Sequence, residues 1–83
     1  DFYTLARRGS AYTQLKQYTK ALQDYNKAID LAKDNKYALS ELYYSRGSVR
    51  LFSNQKEKAC NDFSKAGELG NSAAFGMIKE YCK

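Results

Sequence analysis

The amino-acid sequence predicts an all-α fold in which five antiparallel helices form two helix–turn–helix hairpins and a C-terminal helix. Three observations support this prediction. A 21-residue segment occurs twice at a spacing of 38 residues, apolar residues recur at intervals of three and four, and the 83-residue chain contains no proline. Eight tyrosines and four phenylalanines provide material for a packed core and argue against a disordered chain.

The two copies of the repeated segment are residues 8–28 and 46–66, which agree at nine of 21 positions. A further position pairs Tyr25 with Phe63, so that each copy carries an aromatic ring there. Because so much agreement is improbable by chance, we expect both copies to have the same local structure. The identical pairs are Arg8/Arg46, Gly9/Gly47, Ser10/Ser48, Gln17/Gln55, Lys20/Lys58, Ala21/Ala59, Asp24/Asp62, Lys27/Lys65 and Ala28/Ala66.

Apolar stripes of period 3.6 divide each copy into two helices. The first copy predicts helices near residues 2–16 and 19–33, joined by a short turn in "LKQYT". The second copy predicts helices near residues 36–53 and 56–69. A last stripe predicts a fifth helix near residues 72–82, and it consists of Ala74, Met77, Ile78, Tyr81 and Cys82.

Two features predict how the fourth helix begins and ends. Asn54, followed three residues later by Glu57, has the pattern of an N-cap with a capping-box partner. Gly70 is placed to end the helix as its C′ residue, where a left-handed backbone favours glycine.

Two glycines lie in the middle of predicted helices, where glycine costs about 1 kcal/mol relative to alanine. Gly9 and Gly47 hold equivalent positions in the two copies. Their cost is tolerable if a neighbouring helix approaches too closely for a Cβ atom. We expect the rings of Tyr25 and Phe63 to fill the space between the paired helices.

This pattern resembles the tetratricopeptide repeat, whose motif has a large residue, Gly, an aromatic, Ala, an aromatic and Ala at fixed offsets. Two residues depart from it: Arg50 replaces an aromatic, and the proline that usually closes the repeat is absent, with Lys33 and Gly70 in its place. The chain's ending resembles the C-terminal repeats of bacterial members of the family. The motif positions are Leu5, Gly9, Tyr12, Ala21, Tyr25 and Ala28 in the first copy, and Tyr43, Gly47, Arg50, Ala59, Phe63 and Ala66 in the second.

The resemblance implies a right-handed α-solenoid in a single domain, residues 1–83. Repeat 1 would cover residues 2–35, repeat 2 residues 36–70, and a capping helix residues 71–83. The spacing of the copies exceeds the family's period of about 34 residues by roughly one helical turn. We place the extra turn in "ALSE", which lengthens the third helix; a kinked or two-part linker is the alternative.

In this family the first helix of each repeat lines a concave groove that binds peptides or proteins. The resemblance therefore implies a protein-binding scaffold without a cofactor. Some members bind a C-terminal carboxylate through a lysine–asparagine clamp, but the clamp positions here hold Ala6, Ser10, Tyr44 and Ser48. The implied partner-binding residues are Tyr3, Arg7, Ser10, Thr13, Gln14, Glu41, Tyr44, Ser48, Leu51 and Phe52, with Ala6 and Ser45 beside them.

Other interpretations stay open at this point. Tyr44 and Phe52 would instead pack against a neighbouring helix if they belong to the core. Arg8 and Arg46 are expected to pair with carboxylates of this chain rather than with those of a partner. The domain could also be a structural capping pair within a longer solenoid or a dimerisation surface.

The composition bears on two further classes of function. The formal charge of +5 raises the alternative of a nucleic-acid-binding surface, but the even spread of Lys and Arg among acidic residues argues against it. The chain contains no histidine, which removes Ser–His and Cys–His nucleophiles, and "GELGNSAAFG" lacks the lysine of a P-loop. We therefore expect no enzyme, no metal site and no nucleic-acid partner. No apolar run approaches the roughly 20 residues of a membrane span.

The two cysteines lie at similar distances from the turn between the last two helices. Cys60 lies about as many residues before that turn as Cys82 lies after it. An antiparallel pair of helices would therefore place the two cysteines at similar heights. The spacing permits a disulfide; two buried thiols are the alternative. Because the ending resembles bacterial members of the family, some of which are exported or lipid-anchored, we expect a disulfide and a periplasmic or otherwise extracytoplasmic location, with a cytoplasmic one as the alternative.

Overall fold

The computed structural model describes residues 1–83 and contains five α-helices and no strand, which confirms the predicted all-α fold. Every helix boundary lies within two residues of its predicted position. None of the helices is long and apolar enough to cross a membrane. The helices are α1 (Phe2–Gln14), α2 (Tyr18–Leu31), α3 (Lys36–Phe52), α4 (Lys56–Glu68) and α5 (Ala73–Tyr81).

The helices pack as two hairpins followed by a single helix. Helix α1 pairs with α2 and α3 pairs with α4, while α3 also packs on α2 and α5 packs on α4. The apolar stripes meet in two clusters. The first cluster joins α2 to α3 and consists of Ala21, Tyr25, Ala28, Ile29, Ala32, Ala38, Leu42 and Val49. The second joins α4 to α5 and consists of Ala59, Phe63, Ala66 and Ala74.

The mid-helix glycines permit close contact within each hairpin, as the sequence predicts. A Cβ atom on Gly9 would lie 3.0 Å from Cε2 of Tyr25, and one on Gly47 would lie 2.9 Å from Cε1 of Phe63. Real Cβ atoms rarely tolerate such distances in a well-packed interior. The aromatic rings thus occupy the space that the glycines leave free.

Helix α3 carries the extra turn. It has 17 residues against 13 in α1, and the additional length lies N-terminal to Gly47. Asn35 caps its start, with its side-chain Oδ1 accepting a hydrogen bond of 3.0 Å from the amide of Ala38. The longer third helix is therefore confirmed, and the kinked or two-part linker is excluded.

The predicted capping box at the start of α4 is wrong. Asn54 has a left-handed backbone with φ of 66°, and the N-cap residue is Gln55, whose side chain makes no capping hydrogen bond. Lys16 has a φ of 61° at the equivalent place between α1 and α2. Both positions serve the turn within a hairpin, and asparagine tolerates this conformation better than most residues. Gly70, with φ of 110°, ends α4 as predicted.

Each hairpin is also joined by a bidentate ion pair, which confirms that the repeated arginines pair within the chain. Nε and Nη2 of Arg8 donate to the carboxylate of Asp24 at 2.8 and 2.7 Å. Nε and Nη2 of Arg46 donate to that of Asp62 at 3.0 and 2.8 Å. Both carboxylates are buried, so the arginines supply the charge that burial requires.

The second hairpin extends this arrangement through Arg50, the residue that departs from the family motif. Arg50 stands where the first copy has Tyr12, and its Nη1 donates to Oδ2 of Asp62 at 2.9 Å. Arg46 in turn donates from Nη1 to the side-chain oxygen of Asn26 on α2, at 2.9 Å. The exchange of an aromatic for arginine therefore adds an ion pair to α4.

Replacing Asp24 by asparagine is expected to reduce the amount by which the free energy of unfolding falls as the pH is lowered. The hydrogen bond from Arg8 lowers the pKa of Asp24 against the opposing effect of burial, and the charges of Arg8 and Lys27 lower it further. A carboxyl whose pKa is lower in the folded state than its ordinary value of 3.8 stabilises the fold at pH values above 3.8. This stabilisation is lost as the pH falls through the pKa of the folded state. Urea unfolding between pH 6 and pH 2 would measure the difference.

The exposed Asp34→Asn provides the matched control for that series. It should leave the shape of the pH profile as it is in the parent chain. If the free energy of unfolding of the Asp24→Asn variant falls with decreasing pH as much as that of the parent, the ion pair does not couple to folding.

Cys60 and Cys82 form a disulfide that ties the end of α5 to the start of α4. Their Cα atoms lie 5.8 Å apart, and the bridged residues are 22 positions apart in the chain. The chain has no other cysteine. The bridge thus holds the last helix against the second hairpin at the end remote from Gly70.

Removing the disulfide with the double change Cys60→Ser and Cys82→Ser should lower the free energy of unfolding by about 3 kcal/mol, because the unfolded chain regains the freedom of the closed loop. Urea denaturation of the oxidised parent and of the variant would measure the loss. A reductant should destabilise the parent and leave the double variant unaffected. Equal stability of parent and variant would contradict a stabilising bridge.

Candidate functional site

Helices α1 and α3 border two adjoining depressions that share Ser45. The larger, here called the hydroxyl depression, measures about 190 Å³. The smaller, here called the tyrosine pocket, measures about 100 Å³. The hydroxyl depression is lined by Ser10, Thr13, Gln14, Tyr25, Tyr44, Ser45, Ser48 and Val49. The tyrosine pocket is lined by Phe2, Tyr3, Ala6, Tyr37, Ala38, Glu41, Leu42 and Ser45.

Most residues that line the hydroxyl depression carry a hydroxyl group, and none of them is charged. The hydroxyl of Thr13 donates to the carbonyl of Gly9 at 2.8 Å, and that of Ser48 donates to the carbonyl of Tyr44 at 3.1 Å. These bonds use the hydroxyl protons and leave oxygen lone pairs as acceptors for a ligand.

Tyr25 contributes its hydroxyl to this depression from the second helix of the first hairpin. The residue is only 5% exposed, and its burial raises the pKa of the phenol, while the hydroxyls of Ser45 and Ser10 partly offset this rise. The phenol therefore keeps its proton at neutral pH and remains a hydrogen-bond donor.

The tyrosine pocket is mainly apolar and is flanked by two solvent-accessible rings. Tyr3 is 61% exposed and Tyr37 is 71% exposed. Glu41 is the one charged residue of the lining, and its Oε2 lies 3.3 Å from the side-chain nitrogen of Asn71. Exposed aromatic rings beside an apolar pocket are typical of surfaces that contact other proteins.

The structure brings most of the implied partner-binding residues together, but not all. Leu51 packs against the second core cluster, and the ring of Phe52 lies 6.5 Å from that of Tyr18. Arg7 is exposed and lines neither depression. These three residues lie outside the two depressions. The implied residues that line them are Tyr3, Ala6, Ser10, Thr13, Gln14, Glu41, Tyr44, Ser45 and Ser48.

Tyr44 satisfies both interpretations of the sequence. Its ring lies 5.6 Å from that of Phe63, so it does pack against the neighbouring helix α4. It nevertheless lines the hydroxyl depression as well. The packing fixes the ring and makes Tyr44 a rigid part of the wall.

The sequence did not imply six of the lining residues, and two of these, Tyr37 and Tyr25, carry hydroxyl groups; the other four are Phe2, Ala38, Leu42 and Val49. Tyr37 lies in the extra turn of α3, which has no counterpart in α1, so transfer of positions between copies cannot reach it. Tyr37 lies four residues before Glu41 and seven residues before Tyr44, which places all three on one helix face. This spacing was the signal that could have identified it as a site residue. Tyr25 was expected only as core, although the contrast with Phe63 marks its hydroxyl as distinctive.

The described residues include no cluster of metal-ligating side chains. No group of three or more Cys, Asp or Glu side chains is placed to hold a metal ion. The two depressions together contain one carboxylate, that of Glu41, and no basic residue. The geometry provides contacts for hydrogen bonds and apolar groups.

Comparison with known proteins supports the resemblance found in the sequence. A sequence model described as "Tetratricopeptide repeat" matches residues 2–35. The human mitochondrial import receptor subunit TOM70 is 30% identical over 76 residues, which cover 92% of this chain but only 12% of that protein's length. Together with the paired helical hairpins, these matches support the assignment of the chain to the tetratricopeptide repeat family.

Proposed function

We propose that this chain binds an extended peptide segment of a partner protein in the groove formed by the tyrosine pocket and the hydroxyl depression. Tetratricopeptide repeats generally mediate protein–protein interactions and are non-catalytic scaffolds. The observation that carries the proposal is the pair of exposed rings, Tyr3 and Tyr37, beside an apolar pocket. Tyrosine is among the residues that dominate binding energy in protein interfaces.

The lining of the groove also limits the chemistry of the partner. Neither depression contains lysine or arginine, and its one charged group is the carboxylate of Glu41. A peptide that ends in the groove would bury its carboxylate without a counter-charge, which is costly. The groove therefore favours an internal, uncharged segment of the partner.

The human relative adds support of a general kind. Its name describes a receptor subunit for mitochondrial import, and a stretch similar to nearly all of this chain lies within it. A receptor subunit recognises other molecules, which agrees with a binding role for the matching stretch. Because that stretch is only 12% of the relative, the relative's own partners are not transferred to this chain.

Changing Tyr3 and Tyr37 together to alanine is expected to weaken peptide binding at least tenfold while the chain stays folded, because both rings are largely exposed. Peptides selected from a random display library against the 83-residue chain provide the ligand, and isothermal titration measures its Kd. Leu15→Ala is the matched control, since Leu15 is exposed outside the groove. Equal loss in the control, or no loss in the double variant, would contradict binding at this groove.

A structural role is the second candidate, favoured by apolar residues exposed away from the groove. Leu15, Leu31 and Phe75 are all exposed and line neither depression. Such residues are candidates for contact with a further repeat or with a second copy of the chain. Sedimentation equilibrium over a range of concentrations tests self-association, and a monomer throughout would remove the dimerisation alternative.

We infer that the chain functions in an oxidising, extracytoplasmic compartment. The proximity of Cys60 and Cys82, whose Cα atoms are 5.8 Å apart, supports this inference, since structural disulfides persist mainly in such compartments. Alkylation of free thiols before cell lysis, followed by mass spectrometry, provides the test. Two alkylated cysteines in the native protein would overturn the inference and favour a cytoplasmic location.

A further inference from the structure

We propose that the hydroxyl depression recognises the side-chain carboxamide of an asparagine or glutamine in the bound peptide. The inference rests on the proposed function, because it assigns a ligand group to one part of the same groove. It starts from the hydroxyl of Tyr25, which comes from α2 rather than from the two helices that border the groove.

The hydroxyl of Tyr25 is the polar group that α2 contributes to the depression. The residue is 5% exposed, and its hydroxyl meets the depression between α1 and α3. The hydroxyls of Ser10 and Ser45 lie close enough to act as its hydrogen-bond partners. A ligand that enters the depression displaces water from these hydroxyls, so it must replace the hydrogen bonds that the water makes to them.

The donors and acceptors of the depression match a carboxamide. The oxygens of Thr13 and Ser48 are left as acceptors, since their protons bond to backbone carbonyls. Tyr25, Ser10 and Ser45 form a group of neighbouring hydroxyls that can donate a proton to a ligand. A primary amide presents two N–H donors and one carbonyl acceptor on the same planar group, so it can use both sets at once.

Other groups fit the same lining less well. A carboxylate, phosphate or ammonium group would lose water without meeting an opposite charge, because the lining contains none. An apolar side chain would leave several hydroxyls without partners, which costs binding energy. The volume of about 190 Å³ is also below the range of about 300–1,000 Å³ typical of small-molecule sites, so one side chain is the appropriate occupant.

The two depressions set the spacing of the peptide residues that fill them. Tyr3 and Ser10 lie seven residues apart on α1, as do Glu41 and Ser48 on α3. Seven helical residues correspond to about 10 Å at 1.5 Å each. An extended peptide covers that distance in about three residues. We therefore expect an apolar residue in the tyrosine pocket and a carboxamide about three positions away.

The second repeat provides a comparison within the same chain. Phe63 stands where the first repeat has Tyr25, and Leu51 and Phe52 stand where it has Thr13 and Gln14. The second repeat therefore has no equivalent of the hydroxyls that line the depression, and one carboxamide is expected per bound peptide. Phe63 also shows that a phenylalanine ring is accommodated against a mid-helix glycine, so Tyr25→Phe should fold normally.

Selection of random peptides on the 83-residue chain, followed by titration of one selected peptide, tests the proposal. Selected sequences should carry Asn or Gln about three positions from an apolar residue. Replacing that Gln by Met or by Glu should weaken binding about tenfold, as expected when hydrogen bonds to buried groups are lost. In the Tyr25→Phe variant the Gln and Met peptides should bind nearly equally. Tyr18→Phe, which removes a hydroxyl outside the groove, should preserve the preference.

The outcomes separate this inference from the function on which it rests. Selected peptides that lose binding with the Tyr3 and Tyr37 variant but show no carboxamide preference would keep the proposed function and overturn the inference. A preference that survives Tyr25→Phe would also overturn it. If no peptide is selected, or if binding ignores both depressions, the proposed function and the inference fail together.

Discussion

Replacing Phe63 by alanine is expected to lower the free energy of unfolding by about 3–5 kcal/mol. Phe63 is completely buried and lies against Gly47, so its ring fills the contact between α3 and α4. Its buried neighbours in the second core cluster are Ala59, Ala66 and Ala74, whose methyl groups cannot fill the volume that the lost ring leaves. For a domain of this size the loss is a large part of a total stability of roughly 4–12 kcal/mol.

Urea unfolding followed by far-UV circular dichroism would measure this change. Phe52→Ala is the matched control, because it removes the same ring from a residue that is 61% exposed. A surface change of this kind should shift stability by about 0.5 kcal/mol or less. Equal losses in the two variants would show that α3 and α4 are not held together by the contact between Phe63 and Gly47.

The fold could be predicted because the same physical requirement appears twice in the chain. Gly9 and Gly47 remove a Cβ where Tyr25 and Phe63 need room, and neither glycine has an advantage in a helix without that contact. A repeated cost of this kind indicates a repeated tertiary contact. The helix boundaries follow because the apolar stripes continue up to each turn.

The start of α4 could not be predicted from local pattern alone. Asn54 and Glu57 have capping-box spacing, but the hairpin turn requires a left-handed residue at position 54, which removes it from the N-cap. The equivalent Lys16 has no capping ability and yet adopts the same conformation. Comparison of the copies would have shown that the turn, and not the cap, determines this position.

The candidate groove was predicted only in part, because α1 and α3 have different surroundings. Helix α1 packs mainly on α2, whereas α3 lies between α2 and α4. Thr13 on α1 therefore lines the groove, whereas its counterpart on α3, Leu51, is partly buried against the second core cluster. Transfer of residues between repeats holds for the contacts within a hairpin and fails where the neighbouring hairpins differ.

The two buried carboxylates, Asp24 and Asp62, also have different surroundings. Changing Asp62 to alanine is expected to cost about 3–5 kcal/mol, because it leaves Arg46 and Arg50 charged and without a counter-charge. Their side chains are only 17% and 19% exposed. Burial alone would lower the pKa of Arg46, but the hydrogen bond and charge of Asp62 outweigh it and raise that pKa. The variant loses this compensation and keeps the burial.

Asp24→Ala is the control that the repeat itself provides, and it should destabilise the chain clearly less. Its partner Arg8 is 59% exposed and can return to water when the carboxylate is removed. Urea unfolding of both variants at neutral pH gives the comparison, and the double variant with Arg50→Met should recover part of the loss at Asp62 by removing one unpaired charge. If Asp24→Ala costs as much as Asp62→Ala, the carboxylates act through their own packing. The desolvation of their arginines would then have no part in holding the second hairpin together.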